Sequence, residues 1–313
     1  MKLGILFAGQ GSQYVGMGKD FYKNSQEFRN IFDHLYEKEK DIAFEGPIEE
    51  LTKTQITQPV MVAFAAGITA ELKNILGQKL YESSVTAGLS LGEYSALNYA
   101  GVLKAEEAID LVRVRGYAMA DAAKDIECAM SAVLNLSRED LEECCHKASS
   151  DEGICQIANY NCPGQIVIAG EKNAVKRAEA LAMEAGARRC MPLAVSGPFH
   201  TSYMEPAGQV LEGEFENIQF ENPNCQVIFN VIGREKNEDE KVGDLLIKQV
   251  SGSVYFEDSI LEMEKMGVDT IIEIGPGKAL SGFVRKTIKE MKIYNLQTWE
   301  DLLVIKKEFE GAI

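Results

Sequence analysis

Apolar runs that stop at glycine and give way to helical spacing recur along this chain. Residues 2–8 run into Gly9-Gln10-Gly11-Ser12-Gln13, residues 85–87 into Gly88-Leu89-Ser90-Leu91-Gly92, and residues 270–274 into Gly275-Pro276-Gly277-Lys278. Runs of that length closed by turn residues predict buried strands. A further strand is expected over 225–231. Helical patterning covers 14–40, 60–76, 95–103, 105–123, 204–216, 242–250, 257–266 and 279–289.

A different rhythm occupies 127–196. Residues 129–134 alternate like a strand, and Ser137-Arg138-Glu139-Asp140 caps a helix running to 149. Two strands, 155–159 and 165–169, flank Asn161-Cys162-Pro163-Gly164. A helix over 174–185 ends at Gly186, and a strand follows over 189–195. The order βαββαβ predicts a ferredoxin-like unit inserted in an α/β domain made of 1–126 and 197–313.

A length of 313 residues suits about two such units, and 46% apolar with 26% charged residues is a soluble globular balance. The net charge of −16, with no basic stripe interleaved with aromatics, argues against nucleic acid as a partner. Seven cysteines, an odd number without a C-x-x-C pair, read as reduced thiols and not as a disulfide frame or metal site. The start is too short in apolar residues for a signal peptide, and no run reads as long enough to span a membrane. A cytoplasmic protein is expected.

G-x-S-x-G at 88–92 falls where a strand gives way to a helix, a sharp turn on which a serine hydroxyl becomes a nucleophile. An ordinary turn fits the same letters. A nucleophilic Ser90 needs a base, and the chain has three histidines. His34 and His146 lie on polar helical stretches. His200 follows Gly197-Pro198-Phe199 on a constrained loop, which leaves it as the general acid/base. The third member is not obvious in the sequence: an aspartate, a backbone carbonyl or an amide side chain would each orient the ring. The N–H of Leu91 is the natural first oxyanion donor, and the Gly9-Gln10-Gly11 turn is the backbone best suited to supply a second. On helix 105–123 the apolar face runs through Ala108, Leu111, Val112, Ala118 and Met119 and takes in Arg115, whereas Arg113 falls off it. A buried guanidinium needs a partner. Either an internal carboxylate such as Glu93 supplies one, or a carboxylate arrives with the substrate.

Phe7-Ala8-Gly9-Gln10-Gly11-Ser12-Gln13, Gly88-Leu89-Ser90-Leu91-Gly92-Glu93-Tyr94, Arg115-Gly116 with Met119, Asn159-Tyr160-Asn161-Cys162-Pro163-Gly164-Gln165, Gly197-Pro198-Phe199-His200 and Glu273-Ile274-Gly275-Pro276-Gly277 stand in the order found in bacterial malonyl-CoA:acyl carrier protein transacylases. The resemblance covers nearly the whole chain. It implies a hydrolase-like parallel-sheet domain with the ferredoxin-like insertion, and ping-pong malonyl transfer through an ester on Ser90, with His200 as acid/base. It further implies that Arg115 pairs with the malonyl carboxylate, that the N–H groups of Gln10 and Leu91 form the oxyanion hole, and that the main-chain carbonyl of Gln249 orients His200. Malonyl-CoA and holo acyl carrier protein are then the expected substrates, for fatty acid synthesis, with no bound cofactor or metal, no membrane and a monomeric state.

The chain departs from the family pattern at Leu89, where many relatives carry His, and at Ala8, where Pro is frequent. Phe199 and Met119 are expected to line the acyl pocket, with Phe199 favouring malonyl over methylmalonyl units. An esterase or thioesterase would share the serine, base and oxyanion donors, and a non-catalytic acyl-binding protein is a third reading. Arg115 discriminates, because a neutral acyl group gains nothing from a buried cation. Arg188, Arg189, Arg285, Lys286 and Lys289 are candidate contacts for an acidic carrier protein.

Overall fold

The computed structural model describes residues 1–309. In chain order its strands are β1 (Leu3–Phe7), β2 (Val85–Gly88), β3 (Cys128–Leu134), β4 (Cys155–Cys162), β5 (Gln165–Glu171), β6 (Arg189–Leu193), β7 (Gln226–Val227), β8 (Val254–Tyr255), β9 (Thr270–Ile274) and β10 (Lys292–Leu296). The first sheet has the order β10-β9-β1-β2-β7 and every pairing is parallel. All residues of β1, β2 and β9 are buried, as expected of parallel strands covered on both faces. The glycine turns after β1 and β2 therefore emerge side by side at the carboxyl edge of the sheet, the usual place for a ligand.

The second sheet has the order β6-β3-β5-β4-β8, antiparallel except for the β4–β8 pair. Helices Arg138–Ala148 and Lys172–Glu184 pack on it through Leu141, Ala174, Val175 and Ala178. Its other side contributes Met130, Ala132, Ala158, Val167 and Ala169 to the main apolar core, together with Met119 and Phe199. The two sheets thus share a core.

Several elements differ from the sequence expectation. The stretch 14–40 is divided into helices Lys19–Asn24 and Gln26–Phe32, with Glu37–Glu45 following. Ser25 is extended and its hydroxyl accepts the Phe28 N–H at 2.9 Å, which starts the second helix afresh. The strand expected over 225–231 pairs only at Gln226–Val227, because Phe229 turns back to bridge Arg234. Neither β10 nor helix Trp299–Phe309 was expected.

The apolar helix begins at Thr54, not at 60, and reaches Glu82 across a kink at Gly77. By length and composition it is able to cross a membrane, contrary to the expectation of no such run. Here Val60, Val62, Phe64, Ile68 and Leu72 are fully buried in the core, each worth about 1.5–3 kcal/mol. Helix Ala105–Ala123 crosses its start at Gly116, where a Cβ would meet Gln55 Cα at 2.9 Å. That close approach accounts for the glycine beside Arg115. All seven cysteines are free thiols.

Candidate active site

The turn after β2 is built by close backbone contacts. A Cβ on Gly88 would lie 1.9 Å from the carbonyl carbon of Gly92, and one on Gly92 would lie 2.2 Å from Phe7 O. No other residue fits at either position, and between them Ser90 is held at φ 53°. A left-handed serine is strained by order 1–3 kcal/mol, and such strain collects at functional sites. His200 is held likewise, at φ 63°.

The two side chains meet. Ser90 Oγ lies 2.7 Å from His200 Nε2, and His200 Nδ1 lies 2.8 Å from the main-chain O of Gln249. A carbonyl can only accept, so Nδ1 carries the proton and Nε2 is free to accept from the serine. Burial, and next the nearby Arg115 charge, push the His200 imidazole down to about 4. It is neutral near pH 7, as a base must be.

Arg115 is almost fully buried. Its Nη2 donates to Ser90 Oγ at 3.2 Å and to Gln249 Oε1 at 2.9 Å, and its Nε has no partner. Burial pulls its pKa below the ordinary value. The internal-carboxylate reading therefore fails in its direct form, since both acceptors are neutral. Arg113, expected off the buried face, shows what a satisfied arginine looks like here. It is 6% exposed, and Nε and Nη2 donate to Glu39 Oε1 and Oε2 at 2.9 Å each, with the Tyr36 ring over the guanidinium. It lies off the apolar face of its own helix and is buried because the cover comes from Tyr36 and helix Glu37–Glu45.

Ser90 and His200 open into a cavity of about 230 Å³ between the two sheets. Gln10, Leu91, Arg115, Met119 and Phe199 line it as well, so every expected site residue faces it except Gln249, which lies behind. The N–H groups of Gln10 and Leu91 donate to no protein group among the described residues. His34, which bonds Asp110 at 3.0 Å, and His146, which is exposed, are absent from it.

Four polar residues escaped the sequence reading of the site. Gln58 and Asn161 line the cavity with Oε1 and Oδ1 buried and unpartnered. Thr54 Oγ1 accepts from Gln10 Nε2 at 3.1 Å and pairs with Ser196 Oγ at 2.9 Å, tying the glutamine turn to the histidine loop. Asn230 Oδ1 accepts the Ser90 N–H at 2.7 Å while its Nδ2 donates to Gly88 O at 2.7 Å. Asn161 alone had a signal, its place in the family motif around Pro163.

A family model described as an acyl transferase domain matches residues 5–303. The malonyl CoA-acyl carrier protein transacylase of Bacillus subtilis (strain 168) is 40% identical over 295 residues, covering 93% of this chain and 92% of that protein. The crystal structure of the transacylase of the same name from Clostridium perfringens Atcc 13124 superposes with a TM-score of 0.92 at 40% identity, covering 100% and 98% of the two chains. A malonyl-transacylase in complex with its type II PKS acyl-carrier protein superposes at 0.91 with 34% identity, covering 98% and 100%.

Proposed function

The chain belongs to the malonyl CoA-acyl carrier protein transacylase family of acyl transferase domains, and on that premise we propose that it moves malonyl groups from CoA to the phosphopantetheine thiol of holo acyl carrier protein. The transfer is ping-pong. His200 Nε2 takes the Ser90 proton as Oγ attacks the thioester carbonyl. The tetrahedral oxyanion is held by the N–H groups of Gln10 and Leu91, each such donor worth roughly 3 kcal/mol. Collapse expels the CoA thiolate, which takes the proton from His200 and leaves a malonyl ester on Ser90. The carrier thiol then repeats the sequence in reverse. The Gln249 carbonyl keeps the imidazole in one tautomer throughout, and Met119 and Phe199 bound the acyl group.

The observation that carries this reading is the buried, half-partnered Arg115 beside the serine. A malonyl carboxylate would supply the charge it lacks, through the fork geometry that suits a carboxylate. An esterase of neutral acyl groups has no use for it. No step needs a cofactor. The product serves fatty acid synthesis, in a cytoplasmic and monomeric enzyme. The order β6-β3-β5-β4 with its two helices supports a ferredoxin-like unit over 127–196, with β8 added from outside it.

The carrier protein docks on the basic residues Arg188, Arg189, Arg285, Lys286 and Lys289. Lys286 Nζ bonds Gln165 Oε1 at 3.2 Å, and Gln165 and Arg189 both pair with Leu134, so the cations fall at one end of the second sheet. Reversing Arg285 and Lys286 to Glu should raise KM for the carrier protein several-fold and leave CoA kinetics intact. Intact mass tests the function itself. Incubation with malonyl-CoA should give a malonyl adduct on Ser90 that passes to holo carrier protein. Release as free malonate would make the protein a hydrolase.

A further inference from the structure

One buried carboxylate, Glu93, lies under the site, and the proposed chemistry does not use it. It is 1% exposed and its oxygens accept from two donors, the Asn230 N–H at 2.8 Å and Gln249 Nε2 at 2.7 Å. Gln249 Nε2 also donates to Ser90 O at 2.7 Å, while Gln249 Oε1 accepts from Arg115. Glu93, the Ser90 carbonyl and Arg115 all favour the same direction of this amide. Reversed, its NH2 would face the Arg115 NH2, and its oxygen would face two other oxygens.

We infer that Glu93 is a positioning residue for carboxylate recognition: as a pure acceptor it holds the Gln249 amide in place, and that amide aims the Arg115 fork. The inference rests on the proposed malonyl transfer. It follows from donor and acceptor counting. Above about pH 8, where Glu93 is ionised, the carboxylate presents acceptors on both sides and cannot donate. A glutamine at 93 must keep its oxygen for the fixed Asn230 N–H, which turns its own NH2 towards Gln249. Two NH2 groups then face each other, and since reversal would set NH2 against the guanidinium and oxygen against the Ser90 carbonyl, the Gln249 side chain is pushed out of its place. The guanidinium loses its seat, whereas the Ser90–His200 pair keeps the Gln249 main-chain carbonyl.

The test is acylation of the full chain above about pH 8 by malonyl-CoA and by acetyl-CoA, read by intact mass over time in wild type, Glu93→Gln, Glu93→Asp and Gln249→Met. Glu93→Gln should raise KM for malonyl-CoA and lower the malonyl-to-acetyl preference roughly ten- to a hundredfold, the worth of a hydrogen bond to a charged group. Glu93→Asp keeps an acceptor-only group and should keep the preference. Gln249→Met retains the backbone carbonyl for His200 but has no amide to aim, so it should lose the preference too, and it decides the matter if Glu93→Gln does not fold. An unchanged preference, or an equal loss with both thioesters, overturns the role of Glu93 while leaving malonyl transfer standing. No Ser90 adduct in the wild type overturns both.

Discussion

Replacing Arg115 with Met is expected to stabilise the free protein while abolishing malonyl transfer. The wild-type guanidinium is 1% exposed, with neutral acceptors on one nitrogen and none on Nε. A buried charge left without its partner costs about 3–5 kcal/mol. The variant removes that cost but strips a donor from Ser90 Oγ and from Gln249 Oε1, at about 1 kcal/mol each. A net gain of about 1–3 kcal/mol remains. The companion variant Arg113→Met has the opposite sign, because it leaves Glu39, 3% exposed, with only the Tyr36 N–H and no opposite charge, and should lose about 3–5 kcal/mol. Urea unfolding of the ligand-free proteins gives both values from the midpoint if the slope is unchanged. In acylation, Arg115→Met should fall by two to three orders of magnitude with malonyl-CoA, the kinetic equivalent of about 3–4 kcal/mol, and gain relative activity with acetyl-CoA. If Arg115→Met unfolds more readily than wild type by over about 1 kcal/mol, Glu93 already compensates the cation and no substrate carboxylate is called for. If it still prefers malonyl-CoA, the carboxylate is held elsewhere.

Three other outcomes follow from the same geometry. Burial, opposed by the Asn230 N–H and Gln249, pushes Glu93 up to about 7, so the folded form favours its protonated state and loses stability as pH rises from about 4.5 to 7. His200, down at about 4, loses stability as pH falls from about 6.5 to 4. The slopes, about 1.4 kcal/mol per pH unit each, oppose one another between pH 4.5 and 6.5; Glu93→Gln should expose the rising His200 slope in urea titrations, and profiles parallel to wild type would refute the Glu93 contribution. Thr54→Val removes the anchor of the Gln10 side chain and should cut single-turnover acylation about tenfold with little change in KM, while Thr54→Ser retains the rate. Phe199→Ala should widen the cavity and raise methylmalonyl acylation relative to malonyl; an unchanged ratio removes Phe199 from selectivity.

Ser90, His200 and Arg115 were readable because each breaks a local rule: a serine between two obligatory glycines, a histidine on a proline loop, a cation on an apolar stripe. The buried runs of β1, β2 and β9 were readable because a short, continuous apolar run closed by glycine is the pattern of a strand covered on both faces. The two-residue strands β7 and β8 carry no period, and β10 is mostly half-buried, so neither pattern stands out. Arg113 gave no sign of its burial because a helical wheel sees one covering neighbour and this helix has a second. Thr54, Asn230 and the side chain of Gln249 left no trace at all. Their partners Gln10, Ser90 and Glu93 lie 44, 140 and 156 positions away, and a polar residue satisfied at that distance looks like any other polar residue.

The unreadable residues are what keep the readable ones in place. Ser90 and His200 both sit at positive φ, which non-glycine residues resist by order 1–3 kcal/mol each. Nothing within either motif offsets that cost. The offset comes from buried bonds made across the fold: Asn230 on the serine N–H, Gln249 Nε2 on the serine carbonyl, and the Gln249 carbonyl on the imidazole. These net about 1 kcal/mol apiece and more where a charge is involved. Asn230 and Gln249 are also joined through the two oxygens of Glu93. The G-x-S-x-G turn therefore specifies where a nucleophile is possible, and the distant amide pair around one buried carboxylate determines that the serine, the histidine and the arginine converge there.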